Sequence, residues 1–242
     1  MSIFSNSRQN YYSSSIASSA VRDAGLRDYM LKVYNFMAIA LAISGVTAFL
    51  VASSPQLMNL IFGTPLRWVA ILAPIAFVFF FSFKLQSISA STAKNYLWIY
   101  SALMGVSLAS LLIVYTGASV ARVFFITASV FGAMSIYGYT TKKDLTNFGS
   151  FLIMGLIGVI IASLVNLFLK SPALYFALSI IGTLIFIGLT AYDVQKIKQN
   201  YYLSSGDQES INKGATIGAL VLYMDFINLF IHLLQIIGNK RD

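Results

Sequence analysis

Eight acidic residues occur in the 242-residue chain, and six of them lie in polar stretches between or outside long apolar runs. The other two, Asp193 and Asp225, lie inside such runs. An ionisable group held in apolar surroundings is costly, and it ordinarily faces a partner or a water-filled cavity. Asp193 has Lys196 three residues on, near enough on a helix to be an ordinary intrahelical partner. Asp225 has no cation within a turn. Asn228 and His232 follow it at i+3 and i+7, which is one helical stripe. That stripe reads as the lining of a polar pathway. Asn166, late in an earlier apolar run, reads either as part of that lining or as interhelical glue.

Other chemistries fail on the same residues. An intramembrane serine protease needs a serine on a tight glycine-flanked turn, and Gly105-Val106-Ser107 is followed by Leu108 rather than glycine. A zinc protease needs two histidines at helical spacing, and His232 is the only one. A retinal receptor needs a lysine midway along the last apolar run, and none is there. No glycine loop of the phosphate-cradling kind occurs, so the chain reads as a non-enzyme that needs no cofactor. With no cysteine, disulfides, thiolate metal sites and cysteine catalysis are excluded.

Seven apolar segments must position these residues. They cover roughly 32–53, 67–87, 96–115, 119–139, 149–169, 173–194 and 215–237, each near the ~20 residues that a bilayer core requires. Only 10% of residues are charged and 58% are hydrophobic, against roughly 25% charged in a soluble domain. In lipid these segments must be helices, because unpaired backbone groups there cost several kcal/mol each. Breaks such as Ser53-Ser54-Pro55, Thr116-Gly117 and Lys170-Ser171-Pro172 separate them. The expected fold class is therefore an all-α, polytopic seven-helix bundle over residues 29–242, preceded by a flexible polar tail over 1–28. Small residues at Ser101, Gly105 and Ala109, at Gly214 and Gly218, and at Gly155 and Gly158 predict close helix approach.

The net charge of +8 comes from basic residues standing singly or in pairs, without the block that a nucleic-acid arm needs. Their expected roles are to fix topology and to touch lipid headgroups. With the N-terminus in the cytoplasm, eleven Lys and Arg fall inside and five outside. This count predicts a cytoplasmic N-terminus and an external C-terminus, with the terminal Lys240-Arg241 pair pulling the other way. Asp193 and Asp225 then share the cytoplasmic half of the membrane.

Three segments resemble the Bax inhibitor (transmembrane Bax inhibitor motif) family. They are Leu189-Thr190-Ala191-Tyr192-Asp193-Val194-Gln195-Lys196-Ile197-Lys198, Leu222-Tyr223-Met224-Asp225-Phe226-Ile227-Asn228-Leu229-Phe230, and Tyr137-Gly138-Tyr139-Thr140-Thr141-Lys142-Lys143-Asp144-Leu145. The last of these is similar to the bacterial branch, and the resemblance extends from about residue 25 to the end.

The resemblance implies a bacterial inner-membrane protein with its last helix central and a pH-sensitive calcium leak. Asp193 and Asp225 would be its proton-sharing pair, acting as pH sensor, cation gate and transient Ca²⁺ ligands. The family's arginine latch would correspond to Lys84, a point charge without the planar fork of arginine. A second functional class stays open, a non-transporting protein that binds and modulates other membrane proteins while the aspartates cement helices.

Overall fold

A computed structural model describes the backbone of residues 3–84, 87–204 and 207–241, with side chains described from Arg22 onward. The described residues form eight helices: α1 (Ile3–Ala52), α2 (Pro55–Phe62), α3 (Leu66–Lys84), α4 (Ala90–Val114), α5 (Gly117–Thr140), α6 (Thr146–Leu169), α7 (Pro172–Leu203) and α8 (Gln208–Ile237). All but α2 contain stretches long and apolar enough to cross a membrane. The spans start and stop where the sequence places hydroxyl caps and prolines. Ser54, Thr116 and Ser171 each accept a backbone N–H of the following turn, and Pro55 and Pro172 open their helices.

Two features add to the expected pattern. The first helix runs back through the tail expected over 1–28, beginning at Ile3. The side chains of residues 1–21 lie outside the described residues. The second is α2, a short helix after the first span that the apolar pattern did not single out.

The last helix is central. In its apolar window 61% of residues are buried, against 11% for α3 and for α6. α8 packs on α1, α4, α5 and α7, whereas α6 leans on α7 and α3 on α2 and α4. Lipid is as apolar as leucine, so close packing and hydrogen bonds hold such helices together. Ser44 Oγ lies 2.7 Å from the Ser101 carbonyl, to which it donates, and 2.6 Å from the Tyr223 hydroxyl, joining α1, α4 and α8. Tyr100 packs edge-on against Tyr223.

The C-terminal half of α7 is anchored to the α5–α6 turn. Leu145 N donates to Gln195 Oε1 at 2.9 Å, and Gln195 Nε2 donates to the Lys143 carbonyl at 2.8 Å. Lys198 Nζ donates to the Tyr139 carbonyl at 2.9 Å. These bonds follow Asp193 by two and five residues, so its turn of helix is held in place.

Asp207 caps α8, accepting from Glu209 N at 3.3 Å and from Ser210 N at 3.1 Å. Hydrogen bonds from the Ser210 backbone and side chain hold its carboxyl below the usual range. A depressed carboxyl stabilises the fold above its unfolded value and loses that contribution as pH falls through the folded one. Asp207→Ala should therefore speed amide exchange over 208–211 at neutral pH, and acid should do the same to the native chain. Unchanged exchange in the variant would remove this cap from the account.

Candidate functional site

Asp193 on α7 and Asp225 on α8 come together. Their carboxyl groups are close enough to act on each other electrostatically, and both residues line one cavity. Asp225 is 5% exposed, Asp193 is half-buried, and Oδ2 of Asp225 has no hydrogen-bond partner among the described residues. Ionised carboxylates only accept, so two of them can bond only when one carries a proton. Lys196 is close enough to act electrostatically on Asp193 and also lies over the Tyr192 ring at 5.5 Å.

Small residues let helices approach closely on either side of the pair. A Cβ on Gly138 of α5 would overlap the Ala191 carbonyl oxygen, so only glycine lets α5 rest on the α7 backbone here. Further along α7, a Cβ on Gly182 would lie 2.5 Å from Cε1 and Nε2 of His232. The imidazole therefore occupies the space of the missing side chain, stacked on Phe186 with centroids 5.7 Å apart.

α6 packs on α7, and a cavity of about 580 Å³ opens between α6, α7 and α8. Asp193, Asp225, Asn228 and His232 line it, opposite the apolar face of α6. A second cavity, about 550 Å³, is lined by Asn166, Lys170, Ser171, Ser179, His232, Gln235 and Lys240 among others. The two share Ser163, Leu167 and His232. The stripe expected on α8 is thus one wall of two adjoining cavities, with His232 at their junction. Nδ1 of His232 is buried without a hydrogen-bond partner among the described residues.

Several expected site residues have more local bonds. Asn228 Nδ2 donates to the Met224 carbonyl of its own helix at 2.9 Å. Asn166 Oδ1 accepts from Ser171 N at 3.0 Å, so it closes the α6–α7 turn while lining the second cavity. Lys84 is exposed at the end of α3 and does not line the aspartate cavity. Lys84, expected as the latch, is not brought to the pair here, because α3 packs on α2 and α4. Among the described residues, the cation acting on Asp193 is Lys196.

Gln235, Ser179 and the Lys170–Lys240 end of the second cavity are not among the residues expected from the sequence. Gln235 continues the stripe at i+3 from His232, so helical spacing could have found it. Its Oε1 accepts from Ser179 Oγ at 2.7 Å.

A family model described as "Inhibitor of apoptosis-promoting Bax1" matches residues 26–242. An uncharacterized protein of Rickettsia prowazekii is 50% identical over 220 residues, covering 91% of this chain and 93% of the relative. The inner membrane protein YbhL of Escherichia coli K12 is 46% identical over 220 residues, covering 90% and 94%. An uncharacterized membrane protein of Streptococcus pyogenes is 34% identical over 222 residues, covering 90% and 95%.

Proposed function

The chain belongs to the Bax inhibitor family of integral membrane proteins, and from that premise we propose that it is a pH-sensitive calcium leak gated by Asp193 and Asp225. One observation carries the reading: two carboxyl groups from neighbouring helices meet on the wall of a cavity, one buried with an unpartnered oxygen. A proton shared by the pair bridges α7 and α8 and keeps the path closed. Loss of that proton leaves two like charges that repel across a low-dielectric gap and drive the helices apart. The freed oxygens are hard ligands suited to Ca²⁺. Alkalinisation therefore opens the path and acidification closes it.

Calcium flux into vesicles containing the purified chain, at mildly acid and mildly alkaline pH, tests the reading. Flux should rise with pH. Flux equal to that of protein-free vesicles at both values would retire the leak in favour of a non-transporting protein that modulates other membrane proteins.

The inner membrane named for the Escherichia coli relative supports the same location here, and the eleven-to-five count of basic residues supports a cytoplasmic N-terminus. A reporter fused after Asp242 should be active only on the external side. Activity confined to the cytoplasm would reverse the orientation.

A further inference from the structure

The cavity beyond His232 lies apart from the proposed gate, and its described lining is basic. Lys170 and Lys240 both line it, and its described lining contains no carboxylate. Both lysines sit on tethered backbone. Lys170 ends α6 in the left-handed conformation, φ 51°, and its N–H is bonded to the Asn166 carbonyl. Lys240 is carried by a terminal strap paired with the α4–α5 turn. There Thr116 N donates to the Asn239 carbonyl at 3.0 Å, Arg241 N donates to the Val114 carbonyl at 2.9 Å, and Asn239 N donates to Ser119 Oγ at 2.9 Å. Two elements far apart in sequence thus bring lysines to the lining of one space of about 550 Å³.

The same space has neutral donors and a favourable dipole. Ser171 and Tyr175 line it, and the positive end of the 32-residue α7 opens beside Lys170. Leu167 and the neighbouring Phe168 and Leu169 are 63 to 87% exposed, an apolar flank of the kind acyl chains cover. Two cations with hydroxyl donors at a helix start fit a phosphate group, and the apolar flank fits a lipid tail.

We infer that this cavity is a binding site for a phosphate-bearing group, namely the headgroup of an anionic phospholipid, held between Lys170 and Lys240. The site stands whether or not ions pass the aspartate pair. It lies on the side of His232 away from that pair, so an occupied site closes the far mouth of the two adjoining cavities with a neutralised charge.

The test uses the purified full chain exchanged into a mixture of phosphatidylglycerol and phosphatidylcholine, with retained lipid counted by native mass spectrometry. The wild type should retain phosphatidylglycerol in preference. Lys170→Asn, which keeps a residue tolerant of positive φ, and Lys240→Gln should each weaken retention about fivefold. Lys142→Gln, at the opposite end of the bundle, should not. If Lys170→Asn fails to fold, Lys240→Gln alone decides, since it lies outside every helix. Added inorganic phosphate forms the second arm. Displacement of the lipid at millimolar phosphate supports a phosphate site that a soluble anion also fills, and no displacement supports one built for the lipid. Equal retention of the two lipids by the wild type, or equal phosphatidylglycerol in all four proteins, overturns the site.

Discussion

Asp225→Asn is expected to flatten the pH dependence of calcium flux, and Asp193→Asn to do the same. Each variant leaves one carboxyl beside an amide, so no pair exists whose repulsion a proton can remove. The size of the effect follows from the charges. Two carboxylates about 4 Å apart at an effective dielectric near 20 repel by about 4 kcal/mol. A tenfold change in open population needs only about 1.4 kcal/mol, so the wild type should change flux at least about tenfold across the transition. The variants should change it less than about twofold. Lys196→Gln removes the cation that favours the ionised pair, and its flux transition should move to higher pH. Lys84→Gln should leave the profile unchanged, because Lys84 stands exposed on α3. A full wild-type profile in both Asn variants would show that the pair is not the sensor.

Gly138→Val should lower stability more than any other single small-residue change near the site. The added Cβ would meet backbone rather than a yielding side chain, overlapping the Ala191 oxygen and lying 2.9 Å from the Ala191 carbon and Cα. α5 and α7 must then separate, and overpacking of this kind costs about 1–3 kcal/mol. Ala191 is two residues from Asp193, so separation also moves one member of the pair. The variant should melt earlier and lose pH control together. Gly132→Ala on the same helix meets nothing within 4 Å and serves as the control. If Gly138→Val melts like the wild type, the close crossing is not tight in the membrane.

Much of this arrangement is legible in the amino-acid sequence. Seven apolar runs bounded by Ser-Pro, Thr-Gly and Lys-rich breaks leave the backbone no alternative to helices in lipid. The stripe of Asp225, Asn228 and His232 follows from helical periodicity alone, and all three line one cavity. What the sequence leaves open has physical causes. Helix periodicity fixes which face a residue occupies but not which neighbour lies opposite. Lys84 therefore matches a latch by sequence position while α3 packs at the periphery. Asn166 shows the same limit, since only its position beside Ser171 reveals that it closes a turn. The Lys170–Lys240 cavity depends on a terminal strap pairing with the α4–α5 turn, a contact about 120 residues apart in sequence that no local pattern announces.

The central claim is that one proton shared by Asp193 and Asp225 sets the calcium path. Infrared difference spectra of protonated carboxyl groups, recorded over the same pH range as calcium flux in the same vesicles, test it most directly. A carboxyl signal that is absent from Asp225→Asn should disappear in the wild type at the pH where flux rises, with the two midpoints coinciding. A pair that keeps its proton while flux rises, or loses it with no change in flux, would contradict the account.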